Sequence, residues 1–398
     1  MQIVISECLS DRLFQAGICV KITFKGRQYI PFVGFLDMAT KNLNSLEKAY
    51  NHWLELQPLD ENERYRFSQR FTIDFNYNSN HIEGNTLTYG QTELLLLFGK
   101  VVGESEMKDL EDMKASNVGL KMMEAESLER NKPLTQNFIR QLHQTLLRED
   151  YEVYRKLPGG EYTSYVVHAG QYKTRSNSVI TRTGERFDYA SPEETPSLMS
   201  DLVDWYNKAE QKGELSPVEL AALFHYRYIR IHPFEDGNGR IVRMLANFIL
   251  SRHNYPMIVV RSRKKSEYLD ALSATDKVVG PVPSKGANAT LREIRKFLDY
   301  FTKLVTDEIN TDVKFVTVHE EHTWWYDGEM IRFRTTTTSK ILSVIMMEPS
   351  ITTQAISEKV GVNMAAVNKH LKQLVDKHFI QRKENGEWHV IIYPSCNR

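Results

Sequence analysis

Between His232 and Arg243 a titratable base, an acid, a glycine-rich turn and two arginines fall within twelve positions. Gly237 and Gly239 carry no Cβ, so their backbone N–H groups can approach a ligand closely. At the start of a helix such amides form a nest for an anion, helped by the helix dipole. Arg240 and Arg243 are three apart, share one helical face and can grip phosphate oxygens. Asp236 would repel a phosphate unless a divalent cation lay between them, and Mg2+ held by one carboxylate plus phosphates is the common arrangement. His232, just before the turn, can take a proton from an incoming hydroxyl. Together these residues point to magnesium-assisted transfer of a phosphoryl or nucleotidyl group. A bare Asp-Gly-Asn-Gly reads as a tight turn between helices, but turn chemistry requires neither His232 nor the arginine pair. No Gly-x-x-x-x-Gly-Lys-Ser/Thr loop occurs, which counts against an ordinary P-loop ATPase.

The elements that must position this stretch are mostly helical. Ser216-Pro217-Val218-Glu219 is a helix start, with a capping Ser, Pro at the first helical position and Glu three after the cap. That helix runs to about Arg230, Pro233 and the glycines end it, and another follows from about Asn238 to Arg252. Apolar spacing predicts earlier helices from Asn42, over Glu61–Asn78, Thr88–Phe98, Glu106–Leu128 and Leu134–Leu147. Later ones are expected from Pro196, over Ser266–Ala274 and over Leu291–Ile309, with a Pro/Gly/Ser loop at Gly280–Gly286. Residues 162–189 shift to Tyr, Val, Thr and Ile in alternation, with a Thr183-Gly184 turn, and read as β-structure. A small hairpin around Lys25-Gly26 is a further reading. After a boundary at Thr335–Thr338, three short helices and an Asn385-Gly386 hairpin make a winged helix-turn-helix pattern. Its second helix ends at Gly361, and the third carries Asn363, Asn368, Lys369 and Lys372.

The 398 residues imply two or three domains, and 41% hydrophobic with 26% charged residues is ordinary for a folded, soluble chain. Lys+Arg and Asp+Glu both total 51, so net charge points to neither nucleic acid nor membrane. Residues 331–398, however, hold ten Lys/Arg against five Asp/Glu. Cys8, Cys19 and Cys396 are too few for a disulfide framework or a zinc site. No secretory signal or membrane-length apolar run is read, so a reduced cytoplasm is the expected location.

His232-Pro233-Phe234-Glu235-Asp236-Gly237-Asn238-Gly239-Arg240, with Arg243, resembles the Fic-family signature H-P-F-x-(D/E)-G-N-G-R-x-x-R at every defined position. The resemblance spans roughly residues 40 to 310. It implies a mainly α fold: a helical core with a small β-hairpin flap, followed by the winged-helix domain. The implied division is 1–110, an N-terminal region with an inhibitory helix; 111–312, the catalytic domain; and 313–398, the winged helix. The implied activity is AMP transfer from ATP to a Ser, Thr or Tyr hydroxyl of a protein, with Mg2+ as cofactor. By position, His232 is the base, Phe234 a core anchor and Asp236 the metal ligand. Gly237, Asn238 and Gly239 line the α/β-phosphate site, Arg240 holds phosphates and Arg243 reaches the γ-phosphate.

The hairpin near Val179–Phe187 resembles the family's flap, with Val179, Ile180 and Thr181 binding a target by strand addition. Tyr268 falls where relatives place a residue near the nucleoside. Ser79-Asn80-His81-Ile82-Glu83-Gly84 resembles the inhibitory motif (S/T)-x-x-x-E-(G/N). Glu83 could pair with Arg243 and withhold the cation from the γ-phosphate. The implied partners are ATP, a target protein, the chain itself as a substrate, a homodimer mate and, through the winged helix, DNA; none is a membrane. Two other readings stay open. One keeps the site but transfers or removes another nucleotide or phosphate-containing group, and the other is a DNA-binding regulator with an inactive Fic-like sensor.

Overall fold

The computed structural model describes residues 22–24, 27–29, 33–156, 160–180, 186–320, 322–383 and 385–395. Residues Met1–Asn44 form one compact unit and Ser45–Arg398 a second. In the first, strands Ile22–Phe24 and Arg27–Tyr29 pair antiparallel, with Thr23 opposite Gln28. A helix, Val33–Glu55, begins well before the expected Asn42.

In the second unit the core is built around two consecutive helices, Pro217–Ile231 and Asn238–Arg252. The Ser216 cap closes as the sequence requires: Glu219 N–H donates to Ser216 Oγ at 3.3 Å and Ser216 N–H to Glu219 Oε2 at 2.9 Å. The helix Asn238–Arg252 has thirteen buried residues, including Arg240, Arg243 and Arg252. A helix buried nearly all round belongs inside a bundle, and its three buried arginines each need a partner there. Around it lie Glu61–Ile82, Met107–Leu128, Gln136–Leu147, Thr195–Lys212, Lys265–Val279 and Arg295–Thr317, which contribute to one apolar cluster. Among the described residues no helix is long and apolar enough to cross a membrane.

The β-structure is small and antiparallel. Tyr151–Lys156 pairs with Tyr162–Val167, and Ser178–Ile180 with Arg186–Asp188. The first of these strands precedes the expected β-region, because Tyr151-Glu152-Val153-Tyr154 sits beyond a helix end where no turn residue marks the change. The segment read as a loop at Gly280–Gly286 contains a short helix, Pro283–Ala287, which starts on Pro283.

The winged module begins earlier than Thr335. Strands Thr323–Tyr326 and Glu329–Arg332 form a hairpin over an Asp327-Gly328 turn, both residues at positive φ, and Tyr393–Pro394 adds a third strand. The neighbouring tryptophans point to opposite faces of their strand. Trp324 enters the winged-helix core with Ile341, Leu371 and Trp388, while Trp325 joins the main core beside Phe315. Helices Thr336–Met347, Thr353–Val360 and Met364–Asp376 and the strands Ile380–Arg382 and Trp388–Val390 complete the module. Its end packs on the helix Tyr89–Phe98: a Cβ on Gly90 would lie 2.6 Å from Ile391 Cδ1, and His389 Nε2 meets Glu93 Oε2 at 2.9 Å.

Candidate active site

His232 is the residue that ends the helix Pro217–Ile231, in a left-handed conformation at φ 52° and ψ 61°. Gly237, at φ 76°, begins the next helix. The turn between them is closed from within. Asn238 donates through Nδ2 to Phe234 O at 2.7 Å and accepts from Phe234 N–H at 3.0 Å. This spends the Asn238 side chain on the loop and leaves its backbone N–H to offer a ligand. Phe234 is fully buried and stacks on His143 at 3.7 Å. His143 accepts from Gly170 N–H at Nδ1, 2.9 Å, and reaches Asp236 O from Nε2 at 3.1 Å. Both ring nitrogens are thus satisfied by a neutral imidazole, and burial pushes its pKa down to about 4.

The His232 ring is stacked on Tyr189 at 4.0 Å and 13°. Burial, with the Lys173 ammonium adding to it, lowers the His232 pKa to about 4, so the ring is an unprotonated base at neutral pH. Asp236 stands at the surface, its carboxylate fixed by Tyr151 Oη at 2.7 Å and by Gly237 N–H at 2.7 Å. Protein atoms crowded around the exposed carboxylate displace part of its water and work against its charge, but Arg240, Tyr151 and the Gly237 amide outweigh this and hold the carboxyl below its usual range.

The two arginines differ in how they are paired. Arg240 is buried, approaches Asp236 at 3.8 Å and Asp112 at 4.0 Å, and its Nε has no hydrogen-bond partner among the described residues. Its guanidinium borders a cavity of about 350 Å³ that is also lined by Asp236, Tyr151, Lys108 and Glu83. Arg243 is engaged instead: Nη2 donates to Glu83 Oε1 at 2.7 Å and to Ser79 O at 2.8 Å, and Nε donates to Ser79 Oγ at 3.0 Å. Ser79 and Glu83 come from the end of the helix Glu61–Ile82, with Glu83 as its C-terminal cap. Lys265 holds that end by donating to Ile82 O at 2.6 Å. Gly239 lets Glu83 in, since a Cβ there would collide with the Glu83 carboxylate.

The structure therefore gathers His232, Asp236, Gly237, Gly239, Arg240 and Arg243 with Ser79 and Glu83. Tyr268 is buried beside Arg243: its ring belongs to an aromatic cluster with Phe297 and Tyr300, its hydroxyl is 3.0 Å from His225 Nε2, and burial raises its pKa while the adjacent Arg243 guanidinium opposes that shift. Val179 and Ile180 are in the strand Ser178–Ile180, while Thr181 lies outside the described residues. Tyr151, Lys173 and Tyr189 were not singled out by sequence. The first two have no local signal, and Tyr189 had only its place at the end of the β-region.

A profile of the Fic/DOC family matches residues 133–250, and one for winged helix-turn-helix DNA-binding matches 334–381. The crystal structure of a Fic domain containing signaling protein from Bacteroides thetaiotaomicron is 51% identical, with a TM-score of 0.63, over 68% of this chain and 96% of that one. Protein adenylyltransferase fic-1 of Caenorhabditis elegans is 27% identical over 276 residues, 69% of this chain and 46% of the relative. Protein adenylyltransferase Fic of Drosophila willistoni is 31% identical over 192 residues, 48% of this chain and 34% of the relative. The chain spans less than half the length of these curated relatives.

Proposed function

This chain belongs to the Fic/DOC family, and on that premise we propose that it is a protein adenylyltransferase held in check by Glu83. It moves AMP from ATP to a hydroxyl side chain of a target protein or of itself. The observation that carries the reading is a neutral His232 set directly before a helix N-terminus with two buried guanidiniums behind it. His232 takes the proton of the target hydroxyl, whose oxygen bonds to the α-phosphorus as the bond to the pyrophosphate oxygen breaks. The N-terminal amides of the helix Asn238–Arg252 and the free donors of Arg240 receive the phosphate charge. Asp236 is suited to Mg2+, because one fixed and exposed carboxylate is what that ion takes when phosphates and water supply the other ligands. The cation would neutralise charge on the departing pyrophosphate.

Arg243 would serve the γ-phosphate but is engaged by Glu83, so carboxylate and phosphate compete for one guanidinium. The strand Ser178–Ile180 would take a target segment by strand addition, with Val179, Ile180 and Thr181 as the residues that bind it. The location would be cytoplasmic. AMP incorporation into the Glu83→Gly protein, followed by intact mass in the presence of each nucleoside triphosphate, tests the reading. Addition of 329 Da (roughly the mass of an AMP group less water) from ATP supports it. No addition from ATP, or addition only from another triphosphate, would overturn it.

The winged module supports DNA contact as a second reading for that part of the chain. Asn368, Lys369 and Lys372 are all exposed on the helix Met364–Asp376, where phosphate and base contacts would be made. A gel shift that weakens steeply with salt is the expected result.

A further inference from the structure

We propose that Lys173 is a positioning residue for the transfer step, which it serves by holding the backbone that aims His232. The inference rests on the adenylyl-transfer reading above, since it concerns how that base is presented.

The last carbonyls of a helix have no partner within it. The usual solution is a glycine in the left-handed conformation just past the end. That position is filled here by His232, whose side chain is needed, so the strained turn lacks its ordinary residue. Lys173 supplies the missing donors. Its Nζ donates to Ile231 O at 3.0 Å and to His232 O at 2.9 Å, and its backbone N–H donates to Pro233 O at 2.9 Å. Three consecutive carbonyls of the turn are therefore held by one residue.

The third bond of the ammonium goes to Asn177 Oδ1 at 2.9 Å, which uses all three of its donors. Asn177 in turn donates to Phe234 O at 3.0 Å, tying the next residue of the turn. Lys173 is buried, and no carboxylate is bonded to it among the described residues. Burying an ammonium against neutral carbonyls is costly, and a fold that needed only an apolar filler would not place one there. Burial lowers its pKa to about 7, with Glu194 opposing.

The location of these contacts gives them a further meaning. Asn177 directly precedes the strand Ser178–Ile180, and Tyr189 directly follows Arg186–Asp188. Both roots of the hairpin thus touch His232: Lys173 and Asn177 hold its backbone, and Tyr189 stacks on its ring. A target strand laid on the hairpin would be in register with the base because both share these anchors.

The test is made in the Glu83→Gly protein. Lys173→Met should lower kcat about 10- to 100-fold, the size of loss that a misplacement of roughly 1 Å produces. KM for ATP should stay within about twofold, and Lys173→Arg should recover most of the rate because it keeps a donor group. A readout independent of turnover is the His232 ring signal in protein labelled with [13C-ε1]histidine, identified by its loss in His232→Ala. Stacking on Tyr189 should set it apart, and Lys173→Met should move or broaden it. If Lys173→Met does not fold, Lys173→Gln takes its place, with a smaller shift in both readouts. An unchanged kcat, a loss confined to KM, or an unmoved His232 signal overturns the proposal. Absence of AMP transfer with Lys173 intact would instead sink the transfer reading, while the ring signal still decides what Lys173 does.

Discussion

Arg243 and Arg261 both lie against the helix Glu61–Ile82, one at its end and one along its length, and each is neutralised differently. Arg243 faces a single carboxylate, Glu83, whose side chain is 40% exposed, together with neutral groups of Ser79. Arg261 faces three: Asp74 at 2.8 Å, Glu308 at 2.7 Å and Asp327 at 3.0 Å, all nearly sealed from solvent. Those carboxylates come from the helix Glu61–Ile82, the helix Arg295–Thr317 and the turn of the winged-module hairpin. Asn78, one residue before Ser79, donates to Asp327 at 2.6 Å and accepts from Ser262 N–H at 2.7 Å. A half-exposed carboxylate can leave its arginine for water while a phosphate takes its place, so the desolvation cost of exchange is small. A sealed cluster cannot exchange without leaving a buried charge unpaired. The helix is therefore fastened through Asp74 and Asn78 and releasable only at its last turn. On the proposed reading the brake works by motion of Glu83, with the helix staying in place.

The largest effect should come from removing the chemistry at the Arg243 end. His232→Ala in the Glu83→Gly background should lower AMP incorporation by about 10²- to 10⁴-fold, the usual worth of a positioned base. Retained transfer would show that the site around Arg243 works without this imidazole. Next comes the fastener: Arg261→Met should cost about 3–5 kcal/mol in denaturant unfolding, because three buried carboxylates lose their common cation. Glu83→Gly, by contrast, should cost less, about 1.5–3 kcal/mol in the same measurement, because one half-exposed charged hydrogen bond is lost. Equal losses would break the distinction between fastener and switch.

Glu83→Gly should also raise AMP incorporation by roughly 10- to 100-fold, the ratio that a charged hydrogen bond of about 1.5–3 kcal/mol sustains. The smallest effect should be that of acid. The His232 pKa is depressed from its ordinary value to about 4, so the ring stays neutral as pH falls through 6.5. The rate of the Glu83→Gly protein should then not fall between pH 7.5 and about 5.5, a range in which Lys173 gains its proton and keeps the His232 turn held, and should fall only nearer 4. Half-loss near pH 6.5 would mean that the base titrates as if in water.

Residues 232–243 were legible in the sequence because their chemistry is local. A tight turn, a helix start and two arginines three apart follow from neighbours in the chain, and the helix Asn238–Arg252 begins and ends where that reading put it. The Ser216 cap was legible for the same reason. Tertiary structure alone brought Glu83 within 2.7 Å of Arg243, 160 residues away, and turned a weak six-residue pattern into an ion pair. It also gave Lys173, Tyr151 and Tyr189 their meaning, since a lysine or tyrosine carries no sign of which distant carbonyl, carboxylate or ring it will meet. The hairpin at Asp327-Gly328 had a turn signal, but Trp324 and Trp325 bury opposite faces in two different cores and erase the polar alternation that marks a strand. The sequence by itself determined which groups could do chemistry, because covalent spacing and turn type set them side by side. Folding decided which are held and which are blocked, because burial and pairing depend on residues that only long-range packing brings together.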